Sequence, residues 1–336
     1  MTQPQARYQC EDREILLGFY KKLIWNRMLT AIPEGVAPNA ITIFGQLCVL
    51  AAVIFAYAAS QGNTPLYLVS ALLMMSYLTA DNLDGPHARR TGQSSPLGEF
   101  LDHGLDGIGS GATLLVFSFT VRADGLYLLT LGLVGALAWI VVFWDQFRTG
   151  LLVIPRLSAV EGITLLALVQ IAVVALGDPA WLRFSSSELT LGSALYLLCA
   201  GGYVGTAATP IWRAMREKLT PTEITPALLI SASAMIFYWL GASALVCVLF
   251  ATFYSADVVA RMILKRHNVP GSDMIVSPLH AILLLPLIGA VFGSNAGWSP
   301  THWATLSATV STFFYLVTLL YGSSQLMARR RAESRL

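Results

Sequence analysis

Long apolar segments separated by short polar ones dominate the chain. Ten segments have the length of roughly 17–25 residues that an α-helix needs to cross a bilayer. They are too long for strands and lack an alternation of apolar and polar positions, so sheets are not expected. The weakest break lies between the seventh and eighth segments, at Gly241-Ala242-Ser243. The segments lie at residues 37–60, 64–83, 98–121, 125–146, 157–177, 190–212, 224–241, 243–263, 274–293 and 302–325.

Composition and charge placement agree with this all-α, polytopic membrane pattern of about ten transmembrane helices. Only 12% of the residues are charged, about half the fraction in soluble domains. With ten spans, 19 of the 21 basic residues fall on one side, and only Arg122 and Arg183 fall on the other. The positive-inside rule then places both termini at the cytoplasmic face, in the inner membrane of a bacterium or in the endoplasmic reticulum or Golgi of a eukaryote. No basic patch with interleaved aromatics indicates a nucleic-acid partner.

The segment before the first span is mixed in character. Residues 8–30 combine lysines and arginines with apolar side chains such as Ile15, Phe19 and Leu23. This composition predicts an amphipathic helix that lies in the membrane interface. An ordinary solvated helix is the alternative.

Four aspartates occur within 26 residues at the junction of the second and third spans: Asp81, Asp84, Asp102 and Asp106. Carboxylates at membrane depth are costly, and close like charges need a countercharge. Oxygen ligands favour hard divalent ions, so the sequence predicts two Mg²⁺ or Mn²⁺ ions. A divalent-cation transporter would use the same carboxylates, and it stays open as an alternative.

Helical spacing indicates how these aspartates meet. Asp81, Asp84, Gly85 and Ala88 share one arc if the second helix continues through Pro86. Asp102 and Asp106 follow Gly98 at i+4 and i+8 on the next helix, so two carboxylate arcs can face each other. The small residues at 85, 88 and 98 allow a close approach, and Arg89 adds a cation suited to phosphate. This equipment is typical of phosphoryl transfer.

The full pattern is Asp81-x₂-Asp84-Gly85-x₂-Ala88-Arg89-x₈-Gly98-x₃-Asp102-x₃-Asp106. It resembles the signature of the CDP-alcohol phosphatidyltransferases at every position. The stretches Trp25-Asn26-Arg27, Ala37–Thr42, Asp102-His103-Gly104, Trp144–Gly150 and Val160-Glu161-Gly162 are similar to the choline and ethanolamine phosphotransferase branch. The match runs to about residue 165. Beyond it, the likeness is one of length and pattern.

The resemblance implies transfer of a phosphocholine- or phosphoethanolamine-type headgroup from a CDP-alcohol to diacylglycerol, with release of CMP. It implies that Asp81, Asp84 and Asp102 are metal ligands and that Asp106 is a ligand or base. The nucleotide would be bound by Asn39, Gly85, Ala88, Arg89 and Gly98. The resemblance also implies a homodimer.

His103 is the candidate general base, because it lies one helical turn from both Glu99 and Asp106. Asp106 as base, or a polar role for His103 without proton transfer, are the alternatives. The remaining histidines, His87, His267, His280 and His302, are predicted to be loop or interface residues. Four residues before Arg261, Asp257 is expected to form an ion pair within one helix.

Two residues are candidates for contact with a cationic headgroup. Glu161 would balance its charge, and Trp144 would offer a cation–π face. Packing or interface anchoring is the alternative for both.

These inferences predict one membrane domain over residues 1–336. It would comprise an interfacial segment (1–36), a catalytic six-helix core (37–212) and four additional helices (213–336). A CDP-diacylglycerol-dependent enzyme acting on a soluble alcohol is the rival within the family.

Overall fold

Helices make up almost all of the regular structure in the computed structural model, which describes residues 9–216, 221–272, 282, 284–292 and 297–333. In chain order the elements are β1 (Gln9–Asp12), α1 (Leu17–Tyr20), a π-helical turn (Lys21–Trp25), α2 (Asn26–Ala31), α3 (Pro38–Ser60), α4 (Leu66–Arg90), α5 (Pro96–Val121), α6 (Gly125–Thr149), β2 (Leu151–Ile154), α7 (Ala159–Leu176), a 3₁₀ turn (Ala180–Leu182), α8 (Leu191–Arg216), α9 (Pro221–Trp239), α10 (Ala244–Arg266), α11 (Leu284–Phe292) and α12 (Pro300–Glu333).

The predicted class, an all-α membrane protein, is confirmed. Within the described residues, eight helices are long and apolar enough to span a bilayer: α3 to α8, α10 and α12. The apolar part of α9 is shorter, and the ninth predicted span (274–293) lies partly outside the described residues. Its described end is α11. The count of ten and the cytoplasmic termini therefore stay predictions.

Two features at element ends refine the sequence-based picture. The boundary at Gly241 is a helix break, since α9 ends at Trp239, Gly241 has a φ of 99° and α10 begins at Ala244. The four-residue strands β1 and β2 pair with each other, which was not expected. Both strands lie outside the spans. They are too short to be detected by the long apolar runs from which the elements were predicted.

The chain divides into two compact units. One comprises Cys10–Asp124 with Val153–Tyr203, and we call it the N-terminal unit. Here α3 packs on α4 and α5, and α7 packs on α4. The approach of α3 to α4 is close, because a Cβ on Gly45 would lie 3.0 Å from the Cβ of Ala80.

The other unit comprises Gly125–Leu152 and Val204–Leu336 with the first nine residues, and we call it the C-terminal unit. Here α10 packs on α6 and α12. Asp257 is 2% exposed and accepts a 2.8 Å bond from Arg261 Nε, as its spacing predicted. Thr318 of α12 donates to the other oxygen of the same carboxylate, so this buried ion pair also joins two helices.

The junction of α4 and α5 keeps these two helices in an antiparallel pair. Helix α4 continues through Gly85 and Pro86 to Arg90, which is the condition that the carboxylate arc required. Its end is closed by Gly92 at a φ of 67°, while Gln93 N donates to Ala88 O at 2.8 Å. Helix α5 then starts at a Ser95 cap, whose Oγ accepts from Gly98 N at 3.1 Å.

The segment that precedes α3 is amphipathic. Leu17, Tyr20 and Trp25 are buried against the N-terminal unit, whereas Phe19 and Leu23 are exposed. Exposed apolar side chains next to lysines suit the boundary between headgroups and acyl chains. Its position in the membrane interface stays a prediction.

Two glutamates join this segment to the start of α7, and we call the arrangement the carboxylate clasp. Glu14 Oε1 accepts from Val160 N at 2.8 Å, and Glu161 Oε1 accepts from Leu16 N at 2.8 Å. Each carboxylate thus binds the backbone of the other's segment. Glu161 Oε2 also accepts from Ser158 N at 3.1 Å, which completes a capping box.

The clasp predicts a pH-dependent stability. Burial raises the pKa of the Glu14 carboxyl from 4.5 to about 7, with a smaller raising effect of the charges of Asp12 and Glu161; the bond from Val160 and the charge of Lys21 oppose it. Because the folded state binds this proton more tightly than the unfolded state, the stabilisation is complete below pH 4.5 and is lost as pH rises through about 7. We expect proteolysis of the N-terminal segment to quicken across that range.

The Glu14→Gln variant keeps an oxygen for Val160 N but cannot titrate, so its proteolysis rate should change little between these pH values. Glu34→Gln, at an exposed carboxyl of the same unit, is the matched control and should behave as the wild type. A wild-type pH profile in Glu14→Gln would contradict the assignment.

Candidate active site

The four aspartates come together in the N-terminal unit, as the sequence predicted. Asp81 and Asp84 lie on α4, and Asp102 and Asp106 lie on α5. The Asp81 carboxylate interacts electrostatically with the other three, and Asp84 is only 4% exposed. We call these four residues the aspartate cluster.

His103 lies inside the same group. Its Nδ1 is 3.6 Å from Asp106 Oδ2, and both side chains are mostly buried, at 12% and 16% exposed. Asp102, His103 and Asp106 each offer one ligand atom, and these three atoms lie within 4.8 Å of one another. The imidazole is therefore close enough to the carboxylates either to exchange a proton beside them or to bind an ion with them.

Helix α3 supports the cluster through two neutral donors that the motif does not contain. Thr42 Oγ1 donates to Asp84 Oδ2 at 2.6 Å, and the other oxygen of Asp84 accepts from Gly85 N at 2.6 Å. One turn further along α3, Gln46 Nε2 donates to Asp106 Oδ1 at 3.3 Å. Neutral donors orient these oxygens without removing their charge, so the need for cations remains.

The predicted nucleotide-binding residues lie at the end of the spans where α4 stops and α3 and α5 begin. A Cβ on Gly98 would lie 3.5 Å from Asn39 Oδ1, and a Cβ on Gly85 would lie 3.4 Å from Arg89 Nη1. Ala88 is on the same last turn of α4, and Arg89 is exposed. The backbone at these two glycines is therefore within van der Waals reach of an amide and a guanidinium.

His87 corrects the expectation of a loop or interface residue. It is fully buried in α4, where its Nε2 lies 2.8 Å from Val36 O and its Nδ1 lies 3.1 Å from Arg90 Nη2. Since arginine can only donate, Nδ1 accepts and Nε2 carries the proton to the carbonyl. Arg90 also donates to Ile32 O, so both side chains tie the segment before α3 to the end of α4.

The two headgroup candidates both have internal partners. Both oxygens of Glu161 accept backbone hydrogen bonds in the carboxylate clasp. Trp144, in the C-terminal unit, is 5% exposed and has the Arg148 guanidinium 5.0 Å from its ring centroid. These contacts favour the structural alternative for each residue, and a headgroup role stays a prediction.

The donor set of the cluster fits hard divalent cations. Carboxylate oxygens are the ligands that Mg²⁺ and Mn²⁺ prefer, and an imidazole is acceptable to Mn²⁺. Four ionised aspartates carry four negative charges, which two divalent ions would balance. The cluster is therefore a candidate metal centre for two ions, and the identity of the ions stays a prediction.

Comparison with known proteins identifies the domain that carries this site. The family model described as CDP-alcohol phosphatidyltransferase matches residues 35–198, a range that contains the whole aspartate cluster, α3 and α7. Residues 35–198 are therefore similar to the CDP-alcohol phosphatidyltransferase domain, as the spacing of the aspartates predicted.

Individual relatives point to the predicted branch. The chain is 34% identical over 164 residues to choline/ethanolaminephosphotransferase 1 of Saccharomyces cerevisiae, which covers 47% of this chain and 42% of that protein. It is 28% identical over 214 residues to human ethanolaminephosphotransferase 1, covering 58% and 53% respectively. Choline/ethanolaminephosphotransferase 1 of Arabidopsis thaliana is 25% identical over 234 residues, covering 63% and 60%. The chain thus spans about half the length of the curated relatives that it matches.

The aspartate cluster predicts a specific response to divalent cations. A ligand that binds only the folded state raises the melting temperature, so Mg²⁺ or Mn²⁺ should stabilise the wild-type protein in detergent. Asp102→Asn keeps the shape of the side chain and removes one charge. We expect it to melt no lower than the wild type in chelator, because repulsion is relieved, and to lose most of the shift caused by the ions.

Asp124→Asn, at an exposed carboxyl outside the cluster, is the control and should keep the wild-type shift. An undiminished shift in Asp102→Asn would show that the ions bind elsewhere.

Proposed function

We propose that the protein transfers a phospho-alcohol headgroup, of the phosphocholine or phosphoethanolamine type, from a CDP-alcohol to the hydroxyl of a diacylglycerol-like lipid, with release of CMP. The observation that carries the proposal is the aspartate cluster with His103 beside it, within the CDP-alcohol phosphatidyltransferase domain. The names of the relatives supply the type of headgroup.

The reaction exchanges one phosphorus–oxygen bond for another. The lipid hydroxyl oxygen attacks the β-phosphorus of the CDP-alcohol, and the bond from that phosphorus to the bridging oxygen breaks. CMP leaves with the bridging oxygen, and the hydroxyl proton passes to a base. Because no serine or cysteine of the sequence stands in a nucleophile motif, direct transfer between two bound substrates is the simplest reaction order.

Asp81, Asp84, Asp102 and Asp106 would hold the metal ions, with Thr42 fixing the oxygens of Asp84. When bound, two divalent ions neutralise the pyrophosphate and the charge that develops on the transferred phosphoryl group. The absence of side chains at Gly85 and Gly98 would let the nucleotide approach the backbone, with Asn39 offering an amide and Arg89 a guanidinium near the phosphates.

His103 is the base that we favour. An imidazole has an ordinary pKa near about 6.5, so it takes up a proton at neutral pH more readily than a carboxylate occupied by a cation. The 3.6 Å contact with Asp106 would orient the ring and stabilise the imidazolium that forms. Asp106 as the base is the competing assignment.

We also propose that the site faces the cytoplasm, since the end of α4 that carries Arg89 and Arg90 belongs to the side rich in basic residues. A soluble nucleotide would enter there, while the lipid arrives from the bilayer. A homodimer follows from the family resemblance.

A donor and acceptor screen tests the function. Purified protein should release CMP from CDP-choline or CDP-ethanolamine only when diacylglycerol and Mg²⁺ or Mn²⁺ are both present. The same preparation should not form lipid from CDP-diacylglycerol and a soluble alcohol. Product formed only from CDP-diacylglycerol would replace the proposed donor, and cation flux without CMP release would replace the enzyme with a transporter.

The base assignment is tested with His103→Ala. If His103 accepts the proton, turnover should fall by about 10²–10⁴-fold, while the melting shift caused by Mg²⁺ and CMP is kept. Loss of that shift together with turnover would identify His103 as a metal ligand instead. Turnover close to that of the wild type would pass the role of base to Asp106.

A further inference from the structure

Gln46 is a polar residue within the first apolar span, and it lies beside the aspartate cluster. The side chain is 7% exposed, and its Nε2 donates to Asp106 Oδ1 at 3.3 Å. A carboxylate oxygen cannot donate, so this contact fixes which end of the amide faces Asp106. The other end, Oε1, is buried and has no hydrogen-bond partner within the described part of the chain.

Two polar atoms converge where α5 has no side chain. A Cβ on Gly109 would lie 2.5 Å from the hydroxyl of Tyr77 and 3.3 Å from Gln46 Oε1. Gly109 follows Asp106 by three residues on α5, and Tyr77 precedes Asp81 by four residues on α4. We call Gln46, Tyr77 and Gly109 the inner wall of the site.

The inner wall lies on the membrane side of the carboxylates. A helix rises about 1.5 Å per residue. Tyr77 therefore lies roughly one turn further into the bilayer than Asp81, and Gly109 lies roughly one turn further in than Asp106. The nucleotide-binding residues Asn39 and Gly98 lie at the opposite, outer end of the same helices. The inner wall is therefore the side of the site nearer the middle of the bilayer, and Asn39 and Gly98 are on the side nearer water.

A buried amide oxygen without a partner lowers the stability of the folded state. The group that relieves this cost is a hydrogen-bond donor, and an alcohol hydroxyl is such a donor. An alcohol bonded to Gln46 Oε1 would lie next to Asp106, because the same amide binds that carboxylate through Nε2. The amide thus links a hydroxyl-binding position to the cluster at which the phosphoryl group is attacked.

We propose that Gln46 is an acceptor-positioning residue, whose Oε1 receives the hydroxyl of the lipid acceptor and holds its oxygen beside Asp106, with Tyr77 as the adjoining wall. This inference rests on the proposed function, since it assigns the acceptor side of the same site. A role limited to holding Asp106 is the competing explanation, and it predicts damage to cation and nucleotide binding instead.

The test compares two lipids with two proteins. The ligands are diacylglycerol and an analogue in which hydrogen replaces the free hydroxyl, and their binding is compared by competition. The proteins are the wild type and Gln46→Met, whose new side chain is similar in volume and has no amide. Wild type should bind the hydroxyl-bearing lipid about 10-fold more tightly, the effect of one buried hydrogen bond. Gln46→Met should show no such preference, and its KM for diacylglycerol should rise while its KM for the CDP-alcohol changes little.

Gly109→Ala supplies a second variant, because it keeps the Gln46 side chain chemically intact while its added methyl group displaces the wall where the two polar atoms converge. It should also lose the preference for the hydroxyl, while the melting shift caused by Mg²⁺ and CMP is kept in both variants. A preference unchanged in Gln46→Met, or a loss of that melting shift, would overturn the proposal.

Gln170→Met is the matched control. Gln170 is also buried, its Nε2 donates to Ser70 and Thr120 at 3.0 and 3.1 Å, and its Oε1 likewise has no partner among the described residues. Its hydrogen bonds go to Ser70 and Thr120 and not to the cluster, so its replacement should lower stability without changing the lipid preference. The proposed function is judged first and separately, on whether the wild type forms lipid at all.

Discussion

Repulsion among the four clustered carboxylates is the constraint on which the N-terminal unit depends. Two antiparallel helices, α4 and α5, keep the carboxylates close, and residues 91–95 join them through a closed helix end and a serine cap. Helix α3 adds the hydroxyl of Thr42 and the amide of Gln46. Because both donors are neutral, the oxygens are oriented while their charge is retained. The unit is thus built to attract cations rather than to replace them with its own lysines or arginines.

The part of this site that follows from sequence is the part controlled by helical spacing. The arcs of Asp81 with Asp84 and of Asp102 with Asp106 need only a continuous helix, and the pair of Asp257 with Arg261 needs only a separation of four. Gln46 belongs to another helix, so its contact with Asp106 depends on tertiary packing that no local period reveals. A polar residue in an apolar span was the available signal.

His87 and Glu161 are residues whose roles were not predicted from their neighbours in sequence. The sequence predicted a loop or interface position for His87 and left Glu161 open between headgroup contact and packing. Their observed hydrogen-bond partners lie 51 and 145 residues away, at Val36 and Leu16. For Glu161 a local signal existed, because serine three residues before glutamate at the start of an apolar run is a capping box. The number of spans is a different case, since it depends on residues 273–281, of which the structure gives no description.

The composition of helix α5 disfavours a stable helix in water. Five of its residues are glycine, at positions 98, 104, 107, 109 and 111, and each disfavours a helix in water by about 1 kcal/mol relative to alanine. Hydrocarbon removes the competing solvent, so the backbone has no alternative to its own hydrogen bonds. The element that carries half of the carboxylates is therefore ordered by the bilayer itself. It follows that the surrounding lipid acts as a folding cofactor for the helix that carries Asp102 and Asp106.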